Sequence, residues 1–181
     1  NEAGAVYNTY INSFMNEDGS VNWLPVCADA HGFVVNRDLF EKYDIPLPTD
    51  YESFISACRE FKKAGIRGFA ADYYYDYTCM ETLQGLSASE LSSAAGRKWR
   101  TIYSDPENTK REGLDSTVWP EAFERMEQFI KDTVLSRDDL DMNYDDVIEL
   151  YKNGKVAMYF GSSSGVKIFQ NQGINTTFMP F

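Results

Sequence analysis

Residues 22–49, NWLPVCADAHGFVVNRDLFEKYDIPLPT, restrict what the chain can become more than any other stretch. Gly32-Phe33-Val34-Val35-Asn36 is apolar, β-branched and too short for a helix, so it reads as a buried strand. Residues 37–43 follow as a short helix with Leu39, Phe40 and Tyr43 on one face, and Pro46 and Pro48 prevent its continuation. Thr49 or Asp50 then caps a helix over 50–64, in which Tyr51, Phe54, Ile55, Cys58 and Phe61 form one stripe and Gly65 ends it. A buried strand feeding amphipathic helices is an α/β pattern.

The rest of the chain continues that alternation. Residues 1–15 carry Val6, Tyr7, Tyr10, Ile11 and Phe14 at helical spacing, and 16–20 form a turn. A strand is expected over 67–71, helices over 78–86 and 87–95, and an exposed polar excursion over 97–114. Trp119-Pro120 opens a helix to about residue 134 with Ala122, Phe123, Met126, Phe129 and Ile130 on its buried face. Asn143 caps a helix over 143–153, with Asp145 and Asp146 in its first turn. A strand over 155–160, a loop at 161–165, a short helix over 166–171 and a strand over 176–179 complete the series.

Composition narrows the function. An apolar content of 43% and an aromatic content of 15% suit a folded globule. A net charge of −11 counts against nucleic-acid binding and against an anionic membrane surface. Cys27, Cys58 and Cys79 are widely spaced without a C-x-x-C pair, and His31 is the only His, so neither a zinc site nor a His-based triad is indicated. No metal, cofactor or catalytic residue is assigned. The adjacent acids Asp138/Asp139 and Asp145/Asp146 do not face each other on a helix, and read as solvated or capping groups.

One segment stands apart. Asp72-Tyr73-Tyr74-Tyr75-Asp76-Tyr77 packs four Tyr and two Asp into six residues with no helical or strand stripe. It follows a strand and precedes a helix, where α/β sheets place ligand loops. The alternative is that two of these rings face the core and the others are simply exposed.

Val35-Asn36-Arg37-Asp38-Leu39-Phe40, Pro46-Leu47-Pro48-Thr49-Asp50-Tyr51-Glu52 and the LYKNGKVAMYF run at 150–160 together resemble the extracellular solute-binding proteins of ABC importers, in their sugar-binding, maltose-binding-protein-like branch. The resemblance covers 22–181. It implies one lobe of a periplasmic-binding-protein type II-like fold, α/β with a mixed sheet flanked by helices. Residues 22–181 would be the second, C-terminal-type lobe. Residues 1–21 would be an N-terminal helix and turn belonging partly to a missing first lobe or hinge.

The resemblance also places ligand contacts. Asp29 matches an acidic contact in the crossover, and a carboxylate can accept two sugar hydroxyls at once. The Tyr-rich loop matches a segment that supplies an acid and a Tyr, which puts Tyr73, Tyr75, Asp76 and Tyr77 in the expected set. The loop after strand 155–160 places Ser162, Ser163 and Ser164 there too; Ser164 stands roughly where the family often has a stacking Trp. Three hydroxyls at a helix start can bind sugar hydroxyls or simply cap the helix. Trp99 stays open as a stacking residue, whereas Trp119 reads as core. Arg97, Lys98 and Arg100 leave an acidic ligand open.

The implied function is capture of a sugar or oligosaccharide without catalysis, with ABC permease subunits and the missing first lobe as partners. The implied location is extracellular or periplasmic, with membrane anchoring through an N-terminal lipid in the full-length protein. Two alternatives remain: a glycan-processing domain using Asp29 with Asp72 or Asp76, and a sensor module of the same fold presenting ligand to a receptor kinase. Turnover would mark the first, and a neighbouring kinase gene the second.

Overall fold

The structure is a computed structural model that describes residues 8, 10–12, 14–23, 27–105, 107, 118–133 and 135–181. The chain forms two compact units, Asn1–Ala30 and His31–Phe181. In the first, residues 8 and 10–12 are helical, and most of the expected helix over 1–15 lies outside the described residues. Its turn closes where Asn16 N–H donates to the Ser20 carbonyl at 2.9 Å, and Met15 bridges Val21.

The second unit runs β1 (His31–Asn36), α1 (Arg37–Lys42), α2 (Tyr51–Lys63), β2 (Arg67–Ala70), α3 (Asp76–Leu86), α4 (Ala88–Ser92), α5 (Ala94–Ser104), α6 (Trp119–Asp132), α7 (Arg137–Leu140), α8 (Tyr144–Lys152), β3 (Val156–Ser162), α9 (Ser163–Asn171) and β4 (Thr176–Pro180). The sheet order is β2-β3-β1-β4. β2 lies parallel to β3, while β1 is antiparallel to both of its neighbours, β3 and β4. This is the expected mixed α/β sheet.

Alternation along β1 and β3 divides the core. Phe33 and Val35, with their partners Phe160 and Met158, join Phe40 of α1, Phe54 and Phe61 of α2 and Phe129 of α6 on one face. Val34 and its partner Tyr159 join Val147 and Tyr151 of α8 and Phe169 of α9 on the other. The strands are therefore buried on both faces, which is why they read as continuous apolar runs. Capping residues set the helix starts. Asn36 accepts from Leu39 N–H at 3.3 Å, and Asp50 and Ser53 form a reciprocal capping box at α2. Asn143 and Asp146 form another at α8. Gly154, at φ +62°, sits just past α8 in the left-handed conformation that lets the chain turn at once into β3.

Three expectations are corrected, and one helix is added. The polar stretch from 97 is not an excursion as far as Ser104, because it belongs to α5. Ser93 accepts from Gly96 N–H at 3.1 Å, and Trp99 stacks on Tyr103 one turn on, with ring centroids 5.0 Å apart. The remainder to 114 lies almost wholly outside the described residues. The expected loop at 161–165 is absorbed, since β3 continues to Ser162 opposite His31 and α9 starts at Ser163. Phe123 is 53% exposed rather than buried, lying beside Trp119. A helix over Arg137–Leu140 was unforeseen; Ser136 and Asp139 close a capping box there.

Candidate functional site

Strand directions assemble one rim. β2, β3 and β4 point the same way and β1 points back, so the carboxyl ends of three strands and the start of β1 share an edge. The Tyr-rich loop leaves β2 at this edge, and the serine run leaves the neighbouring strand β3. Edges of this kind are where α/β sheets hold ligands.

The Tyr loop is a tight turn. Tyr75 N–H donates to the Asp72 carbonyl and Thr78 N–H to the Tyr75 carbonyl, each at 3.1 Å, while Tyr74 N–H reaches the Met142 carbonyl at 3.2 Å. Tyr73 is turned inward: it is 7% exposed, belongs to the Phe-rich core, and its hydroxyl lies 3.4 Å from Thr82 Oγ1. Burial raises its phenol far above the ordinary value. Tyr74 and Tyr77 are exposed and Tyr75 half-buried. Tyr75 and Tyr77 stack with centroids 5.3 Å apart and planes 18° from parallel, and Tyr74 meets Tyr75 edge-on at 5.2 Å. Asp76 is exposed in the first turn of α3, a favourable place for a negative charge.

Beneath these rings lies Asp72, 6% exposed. Thr78 Oγ1 donates to its Oδ1 at 3.0 Å, and the Tyr77 hydroxyl lies 3.4 Å from its Oδ2. Burial pushes the Asp72 carboxyl above the usual range, against the lowering effect of these contacts. Partial desolvation, together with the Asp72 charge, raises the Tyr77 phenol.

At β3, Ser162 precedes α9 without a side-chain capping bond, and its Oγ lies 2.6 Å from Ser164 Oγ. The simple capping role therefore does not account for Ser162. Small residues flank the run for a reason of space: a Cβ on Gly161 would come within 2.6 Å of the Tyr159 ring, and one on Gly165 within 3.2 Å of its hydroxyl. Asp29 is exposed and belongs to the first unit.

Two further groups stand on the rim. His31 opposes Ser162 in the β1–β3 register, and its Nδ1 lies 2.8 Å from Glu81 Oε2 of α3. Sequence reading passed over this pair. The only signal was a single His just before a strand, and its partner is fifty residues away.

Trp99, left open as a stacking residue, has aromatic neighbours of its own. It packs between Tyr103 and Trp119, at 5.0 and 5.3 Å, and Arg97 donates to the Ser92 carbonyl on the same stretch of chain. A cavity of about 700 Å³ opens at the β4 end of the strand edge, lined among others by Phe33, Phe54, Leu86, Phe129, Met179 and Phe181. None of the expected ligand residues lines it. Its polar members are engaged: Tyr51 donates to Asp132 at 2.9 Å, Asp50 caps α2, and Arg125 pairs with Glu90. Among the described residues, no group of three His, Cys, Asp or Glu is placed to hold a metal ion.

An α/β lobe with an aromatic and hydroxyl-rich rim at the carboxyl ends of its strands defines a binding module of the solute-binding type. Residues 2–181 match the family of bacterial extracellular solute-binding proteins, and the chain belongs to that family. No curated protein matches the chain. Among solved structures, the bacterial solute receptor AcbH, characterised for exclusive preference for β-D-galactopyranose, superposes with a TM-score of 0.71 at 16% identity, over 98% of this chain and 43% of its own. A family 1 extracellular solute-binding protein from Bifidobacterium longum subsp. infantis gives 0.69 at 20% identity, over 96% and 44%. A chitin oligosaccharide binding protein gives 0.68 at 17% identity, over 94% and 42%. The chain thus spans less than half the length of these structures, and what it shares with them is the fold.

Proposed function

We propose that the protein captures a carbohydrate for an ABC importer, without catalysis, and that the sugar lies on the rim formed by Tyr75, Tyr77, Asp76 and Ser162–Ser164. The carrying observation is the stacked Tyr75–Tyr77 pair, half-buried at Tyr75 and exposed at Tyr77, at the strand end next to the serine run. A phenol ring offers an apolar face to the C–H groups of a pyranose, and hydroxyls take its polar edge. Structures of the same fold named for galactopyranose and chitin oligosaccharide support a sugar as the ligand. Tyr73, buried on Thr82, is left out of this reading. The remainder of the solute-binding fold and the permease are the partners, and an N-terminal lipid on the full-length gene product would keep the protein at the cell surface. Palmitate labelling of that product tests the anchor.

The glycan-processing alternative is weakened by Asp72, whose carboxylate is buried and occupied by Thr78. The test is calorimetric titration of neutral oligosaccharides into the full-length gene product. Binding without turnover is expected, weakened roughly tenfold by Tyr75→Ala or Tyr77→Ala through loss of a stacking ring. Turnover of the oligosaccharide, or unchanged affinity in both variants, would overturn this reading.

A further inference from the structure

The tyrosine rim carries an anchor that the binding reading does not itself require. We propose that Asp72 is the positioning residue of the rim: its carboxylate, held by Thr78, fixes the Tyr77 hydroxyl and so keeps the Tyr75–Tyr77 stack in place as a ready-made sugar platform. This rests on the sugar-platform reading above and adds to it the group that builds the platform.

A carboxylate that is 6% exposed is costly unless hydrogen bonds or a cation compensate. Among the described residues Asp72 has no ion-pair partner. Its compensation comes from its own backbone N–H and from two hydroxyls, one on each oxygen: Thr78 at 3.0 Å on Oδ1, and Tyr77 at 3.4 Å on Oδ2, a long contact. Thr78 is itself 1% exposed, so the first contact is rigid and aims the second oxygen at Tyr77. Tyr77 is 56% exposed, and a ring so placed needs a hold at its far end to remain parallel to Tyr75. An amide at position 72 would satisfy Thr78 at lower desolvation cost but offers only one acceptor oxygen. The carboxylate is the group that can serve both hydroxyls. The consequence for recognition is specific. With its proton committed to Asp72, Tyr77 presents a ring face and an acceptor lone pair to the ligand, not a donor.

The titratable groups around Asp72 are Tyr73, Tyr77, Cys79 and Glu81 from its own loop and α3, and Tyr159 from β3. A titration followed at Tyr77 must therefore be assigned by variants. In the 181-residue chain with ¹³C-labelled tyrosine, the Tyr77 ring signals should move as the Asp72 carboxyl titrates. The movement should vanish in Asp72→Asn and persist in Glu81→Gln. Tyr77 signals indifferent to Asp72→Asn would overturn the proposal. In the full-length gene product titrated with chitin oligosaccharide and with maltotetraose, Asp72→Asn and Tyr77→Phe should each weaken binding roughly fivefold to tenfold, and the double variant no more than the larger single loss. Losses that multiply would show that Asp72 does not act through Tyr77, and would also overturn it. If Tyr75→Ala and Tyr77→Ala leave affinity unchanged, the sugar-platform reading falls, while the labelled-tyrosine titration still decides the Asp72–Tyr77 link on its own.

Discussion

Two carboxylates show how the same side chain serves opposite ends. Asp72 is buried and held by hydroxyls, and its raised pKa makes its ionisation a cost to the fold. Asp139 is equally enclosed, and burial alone would raise it too. Yet the Ser136 hydroxyl and N–H, at 2.6 and 2.7 Å, and Arg67 Nε, at 2.8 Å, outweigh that and hold it below the ordinary value. The linkage signs are opposite. Asp72 lets stability fall as pH rises from its unfolded to its folded pKa. Asp139 contributes stability above its unfolded value of 3.8 and loses it as pH falls through the lower folded one. Asp139→Asn should therefore lower unfolding stability by about 1–3 kcal/mol at neutral pH, the worth of hydrogen bonds to a charged group. Urea midpoints measured down to acid pH should show variant and parent converging below the carboxylate range. A gap that stays constant with pH would mean that shape, not charge, is what Asp139 supplies.

Elements were legible where their determinants are local. β1, α1 and α2 follow from an apolar run, two prolines and a cap, all within about thirty residues of chain, and they stand where the spacing puts them. α5 was missed because its aromatic pair, Trp99 and Tyr103, is joined by Trp119 from another helix, so the stretch looked polar by itself. α7 was missed because the partner that makes Asp139 worth burying, Arg67, lies on β2. The inward turn of Tyr73 and the His31–Glu81 pair have the same origin, since strand order is not written in any one segment. α2 sits close against β2. A Cβ at Gly68 would come within 2.4 Å of the Cys58 Cα, a backbone atom that cannot rotate away. Gly68→Ala must push α2 off the sheet and disturb the Phe54–Phe69 contact at 5.8 Å. It should cost at least about 1–3 kcal/mol in chemical denaturation, the scale of overpacking. A loss below half a kcal/mol would show that the α2–β2 contact is looser than this.

At the scale of the molecule, the proposed sugar rim is open to solvent. Tyr77 is 56% exposed, so a sugar laid on the Tyr75–Tyr77 pair keeps its far face in water. Ligand sites normally enclose most of the ligand. An open rim can offer about 0.5–1.5 kcal/mol from an aromatic face and about 1 kcal/mol from each hydrogen bond. Immobilising the ligand costs roughly 4 kcal/mol or more. Two ring faces and three or four hydrogen bonds then leave a net gain of only a few kcal/mol, which corresponds to a Kd of about a millimolar or weaker. The 181-residue chain alone should therefore fold, because both hydrophobic clusters of the His31–Phe181 unit close within it, yet bind neutral oligosaccharides no tighter than that. NMR titration of its tyrosine signals measures this directly, with fast-exchange shifts expected at Tyr75 and Tyr77. Micromolar affinity for the 181-residue chain would show that the rim encloses far more of its ligand than an open edge does.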